Sequence, residues 1–384
     1  MDIKSSTDTR RRSEPDLVLF VVIFMLIGIG IIMTYSASAV YAMKALNDSF
    51  YFLKKQILWL LLGFVALLVF QNIDYRVYRK YTKAMLFVSF ILLSVVLIPG
   101  IGHGVKGSVR WLGVGFLKFQ PSEFIKIFMV VYLAKVFSSS KKDKQVARLL
   151  IPMLIIAATF VLILMQPDFG TAIDLLIVSV LILFVSGFPL VYIISLFVLS
   201  MPAFYLLVYQ VSYRKERILA FLDPWKYRFG IGYHIIQSFI AFKKGGGFGV
   251  GLGYGTQKIS RLPEPHTDFI FAVIAEEAGI IGTVFIVIIY CAILWRGVFI
   301  SLSAPDDFGK LLAIGISLLI VVQAFVNIGV TSGSLPTTGI PLPFISYGGS
   351  SLISNMVAVG ILLNISRYSE VVKGSKEMRN EVWQ

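Results

Sequence analysis

The stretch Leu262-Pro-Glu-Pro-His-Thr-Asp268-Phe-Ile-Phe-Ala-Val-Ile-Ala-Glu276-Glu277-Ala-Gly-Ile-Ile-Gly-Thr-Val-Phe-Ile-Val-Ile-Ile-Tyr290 decides the fold class. A polar loop with two prolines runs into an apolar segment long enough to cross a hydrocarbon layer, which takes about 20 residues in helical form. The rest of the chain repeats this pattern. Of its 384 residues 57% are hydrophobic and 15% charged, with a mean hydropathy of +0.83, whereas soluble domains carry about 25% charged residues. The chain is therefore predicted to be an all-α integral membrane protein with about ten transmembrane helices. They are expected near 17–36, 57–73, 84–100, 122–138, 149–166, 170–187, 189–210, 268–295, 308–331 and 341–366.

One membrane domain, 16–367, is expected between polar tails at 1–15 and 368–384, with no internal repeat. Basic residues before the first span (Arg10, Arg11, Arg12), after the second (Arg76, Arg79, Lys80, Lys83) and after the fourth (Lys141, Lys142, Lys144, Arg148) place those ends in the cytoplasm. With an even number of spans the tail bearing Arg367, Lys373, Lys376 and Arg379 lies there too. The one long inter-span segment, about 211–267, then becomes a large extracytoplasmic loop, the place where function should concentrate. The run from Leu17 to Tyr35 is longer than the ~7–15-residue apolar part of a cleaved signal peptide, so an uncleaved first helix is expected. Cys291 is the only cysteine, which leaves no disulfide and no cysteine metal site. The net charge of +14 flanks spans instead of forming one stripe, which points to membrane lipids and not nucleic acid.

Asp268 reads in two ways, as a cap for the following helix or as a general base at the mouth of a membrane site. Glu276 and Glu277 continue into the apolar run and are read as a supporting network of buried polar contacts. Around them stand Arg110-Trp111 after Lys106; Gln120-Pro-Ser-Glu123 with Lys126; Gln166-Pro-Asp168-Phe-Gly-Thr171; and Ser334-Leu-Pro-Thr-Thr-Gly-Ile-Pro-Leu-Pro343-Phe-Ile-Ser346-Tyr-Gly-Gly-Ser350-Ser351. Glu123 and Lys126 share a helix face and form either a structural pair or part of the site. Asp168 is read first as a helix cap, with a supporting role in the polar network. Three prolines keep 334–351 irregular, which at membrane depth requires protein or a wet cavity beside it. The basic loop (Arg214, Lys215, Arg217, Lys226, Arg228, Lys243, Lys244, Lys258, Arg261) suits either an anionic ligand such as a diphosphate or phospholipid headgroups. Within it, Gly245-Gly-Gly-Phe-Gly-Val-Gly-Leu-Gly253 is read as a run able to bring backbone amides to phosphate. His234 and His266 could join Asp268 at a metal, but no ligand spacing supports this.

In order along the chain, Tyr35-Ser-Ala-Ser38, Lys106-Gly-Ser-Val-Arg110-Trp111, Gln120-Pro-Ser-Glu123, Gln166-Pro-Asp168-Phe-Gly-Thr171, Pro263-Glu264-Pro-His266-Thr-Asp268-Phe and Pro341-Leu-Pro-Phe-Ile-Ser346-Tyr-Gly-Gly-Ser350 resemble the SEDS family of cell-wall synthases. Asn327-Ile-Gly-Val and Leu335-Pro-Thr-Thr-Gly339 are closer to its division branch than to its elongation branch, and the sporulation member is a near relative. The resemblance implies a ten-helix glycosyltransferase of the bacterial cytoplasmic membrane with its active site facing outside. Such an enzyme polymerises lipid II into β-1,4 glycan strands by inverting transfer from a polyprenyl-diphosphate donor. It also implies Asp268 as the catalytic base, a class B penicillin-binding protein as transpeptidase partner, and divisome membrane proteins nearby. Arg110, Glu123, Lys126, Glu264, His266, Ser346 and Ser350 are the expected diphosphate- or sugar-binding residues. A divalent cation (Mg or Mn) is the one cofactor left open, and no metal ligands are evident in the sequence. Two rival readings stand beside this one: a lipid II flippase and a nonenzymatic division scaffold.

Overall fold

The computed structural model describes residues 14–105, 108–114, 117–138, 147–195, 198, 201, 205, 211–260 and 262–381, the side chains near some edges and beyond 368 excepted. Arg10 to Arg12, Lys106, Lys141, Lys142, Lys144, Arg261 and most of the expected span 189–210 lie outside the described residues.

The first three spans form helices α1 (Leu17–Leu46), α2 (Tyr51–Asn72) and α3 (Arg76–Val96). Asp16 caps α1 by accepting from the Leu19 amide, and Asn47 ends it in the left-handed conformation at φ 55. Next come α4 (Pro121–Ser138), α5 (Ala147–Met165) and α6 (Phe169–Val185), and the last spans are α10 (Ile270–Ser303), α11 (Asp307–Thr331) and α12 (Gly349–Glu381). Five of the described helices, α1, α2, α10, α11 and the Gly349–Tyr368 part of α12, are long and apolar enough to cross a membrane by themselves. In α4 the charges of Glu123, Lys126 and Lys135 lower the hydropathy, and the helix compensates by burial against α3, α11 and α6. Glu123 and Lys126 are turned inward and buried.

Two features between the spans matter for the site. Between α3 and α4, β1 (His103–Val105), β2 (Ser108–Val114) and β3 (Leu117–Phe119) form an antiparallel meander in the order β1-β2-β3, with Gly104 opposite Val109 and Gly113 opposite Lys118. The expected all-α class thus holds for the spans but not for this segment, where Val105, Val109, Trp111 and Val114 favour strands and the runs are too short for helices. The large loop is also not irregular. It contains α7 (Ser212–Leu222), α8 (Gly232–Gly245) and the single turn α9 (Gln257–Ser260).

The bundle is organised about α11 and α12, whose spanning windows are 78% and 89% buried, against 17% for α2. α12 lies along α2, and α11 lies between α10, α4 and α6. The last helix starts at Gly349 and not near 341, because Pro341 and Pro343 hold the preceding backbone out of helix. That irregular segment is buried at Ile340, Leu342, Phe344 and Ile345. Side chains from the surrounding helices satisfy its carbonyls: Gln323 donates to Pro341 O at 3.1 Å, Tyr290 to Pro343 O at 2.6 Å and Thr34 to Ile345 O at 3.3 Å. Gly30 lets α1 approach it, since a Cβ there would stand 2.3 Å from Phe344 O.

Candidate active site

These elements enclose a cavity of about 500 Å³ at one end of the bundle. Lys55 and Trp59 line it from α2, Arg110, Trp111 and Lys118 from the meander, and Gln120 and Glu123 from the start of α4. Arg217 reaches it from α7, Glu264, Thr267 and Asp268 from the loop before α10, and Thr338, Gly339, Pro341, Tyr347, Gly348, Gly349 and Ser351 from the proline-rich segment and its helix. Four cations face three carboxylates, so the cavity suits an anionic ligand that also offers hydroxyls.

Asp268 is half-buried and its backbone is fixed. Asn327 Nδ2 donates to Asp268 O at 2.9 Å and to Ile340 O at 2.7 Å, Ser346 Oγ donates to Thr267 O at 2.7 Å, and the Tyr347 amide donates to His266 O at 2.9 Å. Three consecutive carbonyls are therefore tied to α11 and the proline-rich segment. Gly339, at φ 80, comes so near that a Cβ there would touch Asp268 Oδ2 at 3.5 Å. The cap position of α10 falls on Phe269, which makes no side-chain cap bond, so Asp268 stands one residue outside it.

Of the residues expected at the site, Asp268, Arg110, Glu123 and Glu264 line the cavity together, while the others serve it from behind. Asp168 caps α6 by accepting from the Thr171 amide at 3.3 Å. It also accepts from Gln120 Nε2 at 2.8 Å and pairs with Arg110 at 3.4 Å, and Arg110 donates to Pro167 O as well. The guanidinium is thus held in place on one side and presented to the cavity on the other. Ser350 Oγ accepts from the Gln120 amide at 2.9 Å, and Ser346 is the clamp on Thr267. His266 packs among Phe52, Tyr41 and Tyr347, with the Phe52 ring centroid at 4.3 Å.

Lys126 requires a correction. It is not in the cavity wall but buried, 3.2 Å from Glu123, 3.3 Å from Asp174 and 3.0 Å from Gln323 Oε1. Lys126 carries one positive charge against two carboxylates inside the bundle, and α4 turns its amine toward α6 and α11 rather than toward a ligand. The glycine run is corrected as well. The Val250 and Gly251 amides donate to the carbonyls of Glu276 and Glu277, and the Gly253 amide to Glu277 Oε2 at 3.1 Å, so these amides are spent within the protein. Gly279 breaks α10 there (φ 66, ψ −163), and the freed amides of Ile280 and Ile281 bind Gly246 O and Gly247 O. Glu276 accepts from the Thr256 and Gln257 amides, and Glu277 from Ser36 and Lys258, so the two buried carboxylates tie α10 to α9 and α1.

Lys55, Trp59, Lys118 and Tyr347 were not singled out by sequence reasoning. A signal existed for two of them. Lys55 and Trp59 are four apart and so share a helix face, but an expected span starting at 57 hid that α2 begins at Tyr51. Among the described residues no group of three or more His, Cys, Asp or Glu side chains is placed to hold a metal. His234 stacks on Phe269, apart from the aromatic nest of His266.

Residues 17–371 match the FtsW/RodA/SpoVE family described as "Cell cycle protein". The chain is 44% identical over 363 residues to stage V sporulation protein E of Bacillus subtilis, covering 94% of this chain and 99% of that one. It is 46% identical over 360 residues to a probable peptidoglycan glycosyltransferase FtsW of Trichlorobacter lovleyi, covering 93% and 94%. Among solved structures it is similar to one describing the structural coordination of polymerization and crosslinking by a peptidoglycan synthase complex (TM-score 0.76, 28% identity, 92% and 98% covered). It is also similar to the rod shape determining protein RodA of Thermus thermophilus (TM-score 0.70, 26% identity, 92% and 97% covered). With the family match and these identities extending over nearly the whole length, the chain belongs to the FtsW/RodA/SpoVE family of multi-pass membrane proteins.

Proposed function

We propose that this protein is a peptidoglycan glycosyltransferase that polymerises lipid II into β-1,4 glycan strands for septal wall synthesis. The observation that carries the reading is a half-buried, backbone-fixed carboxylate, Asp268, in a cavity whose other walls present Lys55, Arg110, Lys118 and Arg217. Relatives named as peptidoglycan glycosyltransferases support it. An α-linked sugar diphosphate that yields a β-linked strand needs a single displacement. Asp268 takes the proton from the attacking sugar hydroxyl as that oxygen bonds to the anomeric carbon, and the bond to the diphosphate breaks. Charge growing on the departing diphosphate is met by Arg110, which Asp168 and Pro167 hold in place, and by the lysines. Lipid II and the growing strand are then the ligands, and a class B penicillin-binding protein is the crosslinking partner, alongside other divisome membrane proteins.

Purified protein given lipid II in detergent or liposomes should form glycan polymer. Translocation without polymer would make it a flippase, and neither outcome would make it a scaffold.

The reading also requires the cavity to face outward with both termini in the cytoplasm. Its support is the start of α3, where Arg76, Arg79, Lys80 and Lys83 sit at the helix end opposite the one leading to the meander. In a Cys291→Ser background, a cysteine replacing Phe229 in the large loop should react with an impermeant thiol reagent on intact cells. A cysteine replacing Asp307, at the start of α11, should react only after lysis. Labelling of the second from outside would invert the arrangement.

A further inference from the structure

We propose that Trp59 is a carbohydrate platform, stacking the apolar face of a sugar ring beside Asp268; this rests on the glycosyltransferase reading and extends it from the diphosphate to the saccharide. Trp59 belongs to α2, the least buried of the five helices able to span a membrane, with Ile57, Leu58, Leu61 and Leu62 of the same helix 41–59% exposed. Yet it is turned with Lys55 into a polar cavity. An indole is not needed there for packing against lipid.

Its orientation is set by a glycine. A Cβ on Gly349 would stand 2.6 Å from Cδ2, 2.6 Å from Cε2 and 2.8 Å from Nε1 of Trp59. A point nearly equidistant from three atoms of one ring lies over the face of that ring and not at its edge. One face of the indole therefore rests on the Gly349 backbone, at the start of α12, and no other residue type fits there without displacing it. The ring is held flat as part of the wall. The cavity it lines also offers Lys55, Gln120, Glu123, Tyr347 and Ser351, which are donors and acceptors for hydroxyl and amide groups. An aromatic face presents negative charge density to weakly positive C–H groups, and a pyranose ring has such a C–H face with hydroxyls at its rim. A rigid indole face amid polar side chains matches that pattern, whereas a diphosphate has nothing to stack.

The experiment compares binding of lipid II and of the same polyprenyl diphosphate lacking its sugars to full-length protein in detergent, for wild type, Trp59→Phe, Trp59→Leu and Gly349→Ala. Trp59→Leu and Gly349→Ala should weaken lipid II binding about tenfold or more and leave the sugar-free diphosphate within about twofold, while Trp59→Phe stays near wild type. In polymerisation, Trp59→Leu should raise KM far more than it lowers kcat. Equal weakening of both ligands, or lipid II binding by Trp59→Leu indistinguishable from wild type, would overturn the platform while leaving the glycosyltransferase reading intact. Wild-type protein that binds neither ligand and forms no polymer would remove that reading and the platform with it.

Discussion

Asp268→Asn should reduce glycan polymerisation by about 10²–10⁴-fold, the range expected when a positioned general base is removed. The fold should survive the change. Asp268 is only half-buried, the contacts that fix its segment run through the carbonyls of residues 266–268, and Asn preserves both shape and polarity. The measurement is polymer length and yield from lipid II, set beside the detergent melting temperature of the same preparation. Wild-type yield from a folded Asn variant would show that another group takes the proton. Loss of yield together with loss of fold would instead point to Asp268 as a structural residue, and Asp268→Ala should then be less stable still.

The second large effect belongs to stability. Lys126→Met leaves Glu123 and Asp174 without their shared cation inside the bundle, and breaking a buried ion pair from one side costs about 3–5 kcal/mol. That is a large part of the ~5–15 kcal/mol that holds a domain together. The variant should therefore be recovered poorly and melt well below wild type. Adding Glu123→Gln and Asp174→Asn should restore the melting temperature, because neutral amides can remain buried once the cation is gone. A Lys126→Met protein as stable as wild type would contradict the geometry of the triad. Glu123 also lines the cavity, so the triple variant, stable but altered at the wall, separates the structural share of this cluster from its share in activity.

The fold class was legible because the bilayer imposes a rule on sequence: a segment that crosses as a helix must be apolar for about 20 residues. The stretches around 17–36, 308–331 and 268–295 obey it and became α1, α11 and α10. Asp268 was legible for the same reason, as a carboxylate at the edge of such a stretch. The glycines and prolines of 334–351 announced irregular backbone against the site. Arg110, Glu123 and Glu264 could be named from their motifs, and all three line the cavity.

What the tertiary structure alone decided is which face each charge occupies. Glu123 and Lys126 are three apart on α4 and share a face by sequence, but only the packing of α6 and α11 shows that Lys126 is committed to Asp174 and Gln323 while Glu123 also lines the cavity. The amides of the glycine run were free by sequence, and the break of α10 at Gly279 gave them partners within the protein. Trp59 read as one more residue of an apolar span until α12 laid Gly349 against its ring. Hydrophobic patterning reports contact with lipid, a property of the single segment. The direction of a buried polar or aromatic side chain depends on neighbours brought from hundreds of residues away, and no local pattern encodes it.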